Sequence, residues 1–309
     1  MKIQIIFIIL LILGFYSKLH AQSDSILIVS HLTTITKTEG FRSFRNIPLL
    51  NQTAEYIFSI FSQYADTTYY QPYQVNNETY MNVVCRFGSA DKNKPLVVVG
   101  AHYDSVENEG ADDNASGVVG LLELARLLST AKFDYPIELV AYTLEETHLR
   151  NQYAGSYVHA QSLKDAGTPV YGMVSFEMIG YFDDRKNSQS YPKPVKFLKI
   201  FYGSKGNFIV LAGKTGSSAF VKNFMSNYKK LSSIRTKKIK APQWIVKKSR
   251  LDASDHYNYW KLGYDALMIT DTAYLRNRNY HRRSDTMETL DIPSMIKVID
   301  ATFAAIIDL

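Results

Sequence analysis

The stretch that decides the fold is LVVVGAHYDSVENEGADDNASGVVGLLELARLL, residues 96–128. Its first part, LVVVGA (96–101), is apolar throughout, as expected of a strand that is buried on both faces of a sheet. Its last part, GVVGLLELARLL (117–128), has the apolar spacing of a helix that packs on a core. The loop between them carries candidate polar groups at His102, Asp104, Asp112 and Asp113. A strand, a polar loop and a helix in this order predict an α/β unit whose loop serves a functional site.

The same alternation of strands and helices continues along the chain. Strand character is found in IELVAYTL (137–144), VYGMVSFEMI (170–179), KFLKIFYG (196–203), NFIVLAG (207–213) and DALMITDT (265–272). Helices are predicted near 154–163 and over 293–307, and two extended segments are predicted within 68–88, around Asn76 and Asn77. We therefore predict an α/β fold with a mostly parallel, mixed central sheet that is flanked by helices on both faces.

The first 21 residues have the three parts of a signal peptide: Lys2, an apolar run from Ile3 to Phe15, and a short polar tail that ends at Ala21. Because the apolar run is short for a membrane span, cleavage near Ala21 is the prediction, with a single-pass anchor as the alternative. We expect a single domain over 22–309 with a helical preamble over about 22–66. The protein is then exported, periplasmic or extracellular, without stable membrane association after cleavage, and its oligomeric state is open.

The composition is that of an ordinary globular protein, with 46% hydrophobic and 21% charged residues in 309. Loss of the signal peptide would lower the net charge from +6 to +4, since it removes Lys2 and Lys18 and no acid. Cys85 is the only cysteine, which excludes an intramolecular disulfide. The basic segment 229–250 lacks acids and has a single aromatic residue, Trp244, so we expect a solvated rim or a preference for acidic peptides, and no nucleic-acid binding.

Acidic and histidine side chains follow several of the predicted strands. They are His102, Asp104, Asp112, Asp113, Glu145, Glu146, Glu177 and His281. The carboxyl ends of parallel strands meet at one edge of a sheet, and like charges gathered there repel unless a cation neutralises them. Histidines and carboxylates without a thiol suit zinc, and more ligands are present than one tetrahedral ion needs. The sequence therefore predicts a hydrolytic centre with two metal ions.

The motifs HYD, GADDNASG, EE, FEMIGY and YHRRSDT, in this order, resemble the M28 family of zinc peptidases. That family includes bacterial secreted leucyl aminopeptidases and has glutaminyl cyclases as relatives, and the resemblance covers roughly residues 75–309. It implies two Zn²⁺ ions per chain. The implied ligands are His102 and Glu177 for one ion, Glu146 and His281 for the other, and Asp113 as the bridge.

The same resemblance implies that Glu145 is the general base and that the peptide bond after Asp113 is cis. It also implies that Tyr280 hydrogen-bonds the developing oxyanion, although a packing tyrosine is the alternative. The family commonly has Asp where this chain has Glu177, which we interpret as a tolerated variant. Asp255 matches an SDH segment of the family, and with the adjacent histidine, His256, it is expected to pin a loop by hydrogen bonds.

Asp104 lies two residues after His102, on the same side of an extended segment. We predict that its carboxylate accepts the second imidazole N–H and fixes the ring, with a turn-capping role as the alternative. His148 and Arg150 follow the paired glutamates and are expected in a solvated loop near the site.

These features predict a secreted di-zinc aminopeptidase that acts on peptides with a free N-terminus. A glutaminyl cyclase with one zinc is the first alternative, but the complete set of five ligands favours two metals. A non-catalytic binding protein is the second alternative. The pair Glu145 and Glu146 disfavours it, because a binding scaffold needs no spare carboxylate beside the metals.

Overall fold

The computed structural model describes residues 22–88, 94–147 and 151–309, so the predicted signal peptide, His148 and Arg150 lie outside the described residues. The central element is an eight-stranded sheet with the order β1-β2-β4-β3-β5-β8-β6-β7. The strands are β1 Thr67–Val75, β2 Glu78–Phe87, β3 Leu96–His102, β4 Ile137–Tyr142, β5 Val170–Glu177, β6 Ile209–Lys214, β7 Thr236–Ala241 and β8 Ala266–Thr270.

The middle of the sheet is parallel. β3 pairs in parallel with both β4 and β5, β5 pairs in parallel with β8, and β6 does so with β7. β1 and β2 form an antiparallel hairpin at one edge, and β6 runs antiparallel to β8. Asn76 and Asn77 make the hairpin turn with positive φ angles of 50° and 68°, which asparagine tolerates well. The predicted mixed, mostly parallel sheet is confirmed.

Helices cover both faces of this sheet. They are α1 Ser25–Thr36, α2 Ile47–Tyr64, α3 Gly117–Leu128, α4 Gly155–Asp165, α5 Leu198–Tyr202, α6 Ala219–Leu231, α7 Gln243–Lys248, α8 His256–Lys261 and α9 Ile292–Ile307. Side chains of β3 alternate between two cores: Val97 and Val99 pack with α1, α2, α3, α6 and α9, whereas Leu96 and Val98 pack with α4, α7 and α8. This alternation explains why LVVVGA is apolar at every position.

One predicted strand is wrong, because KFLKIFYG contains the short helix α5. Leu198 and Tyr202 are only partly exposed and lie four residues apart, which is the spacing of one helix face. Phe197, Ile200 and Phe201 are exposed, so the apolar residues do not alternate as they do in a strand. The elements α6, β7, α7 and α8 were not predicted from the sequence.

The preamble consists of α1 and α2, and both helices pack against α3. α2 also lies on β1 and β2. Cys85 of β2 is buried. In the described part of the chain, no helix has the length and apolar character needed to span a membrane.

Candidate metal centre

Several of the predicted acidic and histidine residues lie at or just after the ends of three neighbouring strands, at one edge of the sheet. His102 is the last residue of β3, and Glu177 is the last residue of β5 beside it. Glu145 and Glu146 follow β4, on the other side of β3. Because these strands are parallel neighbours, their carboxyl ends meet. The structure thus brings together residues that are far apart in the chain.

Asp113 lies in the irregular turn that leads into α3, and its peptide bond to Asn114 is cis, as the resemblance implies. The Asn114 side chain ties this turn to the end of β5. Its amide nitrogen donates to the carbonyl oxygen of Phe176 at 2.9 Å, and its oxygen accepts the N–H of Met178 at 3.1 Å. The turn is therefore fixed next to the strand that carries Glu177.

The Asp113 carboxylate faces two histidines, one with each oxygen. Its Oδ1 lies 3.4 Å from His102 Nε2, and its Oδ2 lies 3.1 Å from His281 Nε2. Glu177 Oε2 is 3.7 Å from His102 Nε2, and Glu146 Oε1 is 2.8 Å from His281 Nε2. The five predicted ligands thus form two groups that share Asp113, and within each group the donor atoms lie within 4.8 Å of one another.

Several donor atoms of this cluster are buried without a hydrogen-bond partner among the described residues. They are His102 Nε2 and both carboxylate oxygens of Asp113. Leaving a buried polar atom unpaired costs about 1–3 kcal/mol, so unpaired donor atoms that face one another fit a bound cation. Imidazole nitrogens and carboxylate oxygens without a thiolate are a donor set that suits zinc.

The charges of the cluster also fit a cation. Burial raises the pKa of Glu177 to about 8 and that of Glu146 to about 7, and the negative charge of Asp113 adds to both shifts. Burial raises the pKa of Glu145 well above its ordinary value. For His281, burial would lower the pKa, but its contacts with Asp113 and Glu146 raise it to about 10. A bound cation would stabilise the charged form of these carboxyl groups, so their raised pKa values fit a site for a cation.

Asp104 makes a contact other than the predicted one. His102 Nδ1 lies 3.1 Å from the backbone carbonyl oxygen of Asp104 and 3.6 Å from its carboxylate. The carboxylate accepts the backbone N–H groups of Glu145 and Glu146 at 3.2 and 2.9 Å. These N–H groups follow the last paired residue of β4 and need a partner outside the sheet. Asp104 therefore contacts the ring through its carbonyl and fixes both glutamates through its side chain.

Two residues without a predicted role hold the loop of the centre. The Asp285 carboxylate accepts the N–H groups of Asp112 and Asp113 at 3.0 and 3.1 Å. Asp285 belongs to the motif YHRRSDT, four residues after His281, so its position in that motif is the signal that could have revealed it. Arg42, between α1 and α2, carries no such signal in the sequence.

Arg42 is 1% exposed, and among the described residues its side chain donates only to backbone carbonyl oxygens. Its partners are Tyr103 at 2.9 Å, Ile35 and Glu109 at 2.8 Å, and Gly110 at 3.1 Å. Burial lowers the pKa of this guanidinium to about 10, which leaves it charged at neutral pH. Arg42 thus closes the loop between His102 and Asp113 and places a buried positive charge near the acidic cluster.

Asp255 and His256 do not make the predicted hydrogen bonds. Both are buried near the start of α8, and their side-chain polar atoms have no hydrogen-bond partner in the part of the chain described. Burial raises the pKa of Asp255 to about 6, although the positive charge of His102 and a contact with Ser156 both act to lower it. The residue before them does hold the site, since the Ser254 hydroxyl donates to Glu177 Oε2 at 2.8 Å.

A cleft with mostly apolar walls adjoins the cluster. Glu177 and Tyr280 are among its lining residues, and the Tyr280 ring stacks on His281 with centroids 3.8 Å apart. The cleft contains about 990 Å³ of space, its open mouth included. Its walls include Leu198, Tyr202, Val210, Ala212, Ile245 and Met268. An apolar side chain entering from the mouth would therefore reach the acidic cluster.

Comparison with protein families places most of the chain in one family. The family model described as Peptidase family M28 matches residues 82–306, a range that contains all five predicted metal ligands. Uncharacterized protein YfbL of Escherichia coli K12 is 39% identical over 276 residues, which cover 86% of this chain and 82% of that protein. A probable leucine aminopeptidase 1 of Trichophyton verrucosum is 29% identical over 217 residues, 65% of this chain but 51% of that protein. The chain thus spans about half the length of this aminopeptidase relative.

Solved structures share the fold. The LapA aminopeptidase of Legionella pneumophila superposes with a TM-score of 0.71 and 22% identity, over 92% of this chain and 71% of that chain. A Bacteroides thetaiotaomicron glutaminyl cyclase superposes with a TM-score of 0.66 and 14% identity, over 93% and 98% of the two chains. Because an aminopeptidase and a cyclase both share this fold, fold likeness does not choose between the two reactions.

Proposed function

Because the chain belongs to peptidase family M28, we propose that it is a zinc-dependent aminopeptidase that hydrolyses N-terminal residues from peptides with a free N-terminus. The observation that carries the proposal is the Asp113 carboxylate, whose two oxygens face His102 and His281. A carboxylate with this arrangement suits a bridge between two cations, and two-metal sites serve hydrolytic displacement at carbonyl groups. The leucine aminopeptidase among the relatives supports the same reaction class.

The two donor groups define which residues would hold the ions. His102 and Glu177 would hold one zinc ion, Glu146 and His281 the other, and Asp113 would contact both. When bound, zinc supplies Lewis-acid polarisation of the scissile carbonyl group and of the attacking water. Glu177 has a longer arm than the aspartate common in the family, and the Ser254 hydroxyl restrains that arm.

Glu145 is proposed as the general base. A carboxylate oxygen of Glu145 lies within 4.8 Å of donor atoms of His102 and Glu146, but Glu145 belongs to neither of the groups joined by Asp113. Its carboxylate would take a proton from the attacking water and deliver it to the nitrogen of the leaving amine. The raised pKa of this buried carboxyl favours uptake of a proton from water, because the group binds a proton more strongly than an exposed glutamate does. The same proton can then pass to the leaving amine.

Tyr280 and the cleft are proposed to position the substrate. The Tyr280 hydroxyl would donate a hydrogen bond to the carbonyl oxygen as negative charge develops there. The apolar cleft beside it would take the side chain of the N-terminal residue, which favours apolar residues at that position. We further propose that the protein is exported after removal of residues 1–21 and acts in the periplasm or the medium.

The deciding experiment combines metal analysis with a peptide panel. The purified protein, from Gln22 onward, is offered peptides with free, acetylated and glutaminyl N-termini, before and after chelation and return of zinc. Zinc-restored release of N-terminal residues from free peptides alone is the expected result. Pyroglutamate formation without release, with one zinc per chain, would make the protein a cyclase. Two bound zinc ions without any turnover would make it a binding protein.

A further inference from the structure

The positive charge of this protein is concentrated in one part of the chain. Residues 185–251 contain 17 of its 35 Lys and Arg residues and none of its 29 Asp and Glu residues. The rest of the chain is therefore acidic on balance, although the net charge of the whole is +6. Such asymmetry is typical of a chain with one surface that meets an anionic partner.

The same segment exposes large apolar side chains. The exposed fractions are 55% for Phe197, 82% for Ile200, 68% for Phe201 and 58% for Trp244. Three of the four lie within five consecutive residues around α5, and Trp244 lies on α7. Apolar side chains grouped in this way on a protein surface mark an interaction site.

Direct contacts connect α5 to the basic strand β7. The Tyr202 hydroxyl donates to the carbonyl oxygen of Lys238 at 2.8 Å, and Lys237 Nζ lies 5.0 Å from the centre of the Tyr202 ring. α7 follows β7 directly, and Leu198 of α5 and Ile245 of α7 line the same cleft. α5, β7 and α7, which carry the exposed apolar residues and several lysines, therefore lie close together beside this cleft.

We call this surface the basic apolar face. Its exposed apolar members are the four residues given above. We assign to it the lysines that lie on or next to α5, β7 and α7, namely Lys193, Lys196, Lys199, Lys237, Lys247 and Lys248. The nearest acidic residues in the sequence are Asp184 and Asp252, at the two ends of the acid-free segment.

We propose that the basic apolar face docks reversibly on the surface of an anionic lipid bilayer. Tryptophan and phenylalanine side chains enter the boundary between headgroups and acyl chains, and neighbouring lysines attract anionic headgroups. Both kinds of side chain are present here, and residues 185–251 carry no acid that would repel such a surface. This peripheral contact differs from the stable membrane association that the sequence analysis does not predict.

Other occupants match the surface less well. A second copy of the chain, docked through the same face, would bring lysines against lysines. A nucleic acid would use the lysines and Trp244, but the most exposed member, Ile200, has no ring on which a base could stack. The proposal depends on this surface alone and does not rest on the proposed peptidase activity.

The test is co-sedimentation of the protein from Gln22 onward with lipid vesicles, since the apolar run within residues 1–21 would itself enter a bilayer. One vesicle population is phosphatidylcholine alone, and the other contains equal parts of phosphatidylcholine and phosphatidylglycerol. We expect binding to the anionic vesicles at low salt, weaker by about tenfold or more on phosphatidylcholine alone, and falling as salt is added.

Matched variants locate the contact. Ile200→Glu is expected to reduce binding to anionic vesicles by about tenfold. Ile26→Glu, which changes an equally apolar residue of α1 with 78% exposure, is expected to bind as the unchanged protein does. Neither residue lines the cleft or the metal centre, so melting temperature and metal-dependent turnover of a soluble substrate are expected to stay the same in both variants.

Three outcomes would overturn the proposal. The first is equal binding of the Ile200→Glu and Ile26→Glu variants to anionic vesicles. The second is failure of the unchanged protein to bind them at low salt. The third is binding to polyglutamate or to single-stranded DNA without binding to vesicles, which would assign the surface to an acidic macromolecule. Loss of peptidase activity in all samples would affect the proposed function only, because vesicle binding is measured without turnover.

Discussion

The guanidinium of Arg42 donates a hydrogen bond to the carbonyl oxygen of Tyr103, the residue directly after His102, at 2.9 Å. The backbone carbonyl oxygen of Arg42 in turn accepts the N–H of Ser105 at 3.0 Å. One buried residue of the preamble thus fixes both ends of the turn that follows β3, one end through its side chain and the other through its backbone. The preamble therefore supports the metal centre as well as covering the sheet.

Replacement of Arg42 by methionine is expected to weaken zinc binding. The variant keeps an apolar stem but leaves the carbonyl oxygens of the loop unpaired, so His102 and Asp113 lose their fixed separation. We expect zinc affinity, measured by competition with a chelator, to fall by about 10- to 100-fold, as for other residues that orient metal ligands. Arg45→Met is the matched control, since the Arg45 side chain is 71% exposed.

The Arg42→Lys variant separates positioning from general destabilisation. Lysine restores one donor group and the positive charge, so partial recovery of zinc affinity is expected. If Arg42→Met folded and bound zinc as tightly as the unchanged protein, Arg42 would have no positioning role.

Glu145→Gln is expected to retain zinc and to lose most activity. Glutamine preserves the shape of the side chain but cannot take a proton from water, and loss of a general base lowers kcat by about 10²- to 10⁴-fold. Glu146→Gln is the matched comparison and is expected to lose one equivalent of zinc. Metal analysis and turnover are measured on the same samples. The opposite pattern, with zinc lost at 145 and retained at 146, would exchange the two roles.

Glu138 of β4 is expected to make stability depend on pH. It is buried, forms an ion pair with Arg86, and its Oε2 lies 3.2 Å from His159 Nε2. Burial alone would raise the pKa of Glu138, but the contacts with His159 and Arg86 hold it below 4.5. A depressed folded-state pKa stabilises the fold above the unfolded-state pKa, and this contribution is lost as pH falls through the folded-state value.

Glu138→Gln should therefore cost about 3 kcal/mol of unfolding free energy at neutral pH, where a buried charge pair is broken. Below pH 4.5 the difference from the unchanged protein should shrink. Urea unfolding at several pH values measures both effects, and Glu78→Gln, at an exposed position, is the control. A difference that stayed constant across the pH range would exclude the proposed linkage.

The sequence predicts the parts of the site that follow from strand order and local pattern. His102 and Glu177 end strands that are largely apolar, and parallel pairing brings such ends together without any further information. The mixed, mostly parallel sheet was predictable because apolar strands alternate with helices along the chain. The family to which the chain belongs was predictable from motif order, because the spacing of several short motifs together is much more specific than any one of them.

The contacts that hold the site were not predictable, because each depends on residues distant in the chain. Arg42 lies 61 positions before Tyr103, and nothing in its neighbourhood distinguishes it from an exposed arginine. The Asp104 carboxylate could accept a hydrogen bond from the His102 ring or from the backbone N–H groups of Glu145 and Glu146. Only the folded loop shows that it accepts those of the two glutamates. KFLKIFYG was wrongly predicted as a strand, since its apolar residues are interrupted by Lys199 alone and show no clear helical spacing. Only the surface on which α5 lies shows which of them face outward.

The cleft is expected to select the N-terminal side chain of the substrate by size. Ala212 of β6 lines it, paired with Met268 of β8, so a larger side chain at 212 would occupy space proposed for the substrate. Ala212→Leu is expected to lower kcat/KM for a leucyl anilide by about 10- to 100-fold while changing that for an alanyl anilide much less. The neighbouring Gly213→Ala is the matched control, because its added methyl group would face Val221 and Met225, each with an atom at 3.3 Å, on the other side of the sheet. Equal losses for the two substrates would mean that residue 212 affects folding and not selection, and an unchanged ratio with full activity would place the substrate side chain outside this cleft.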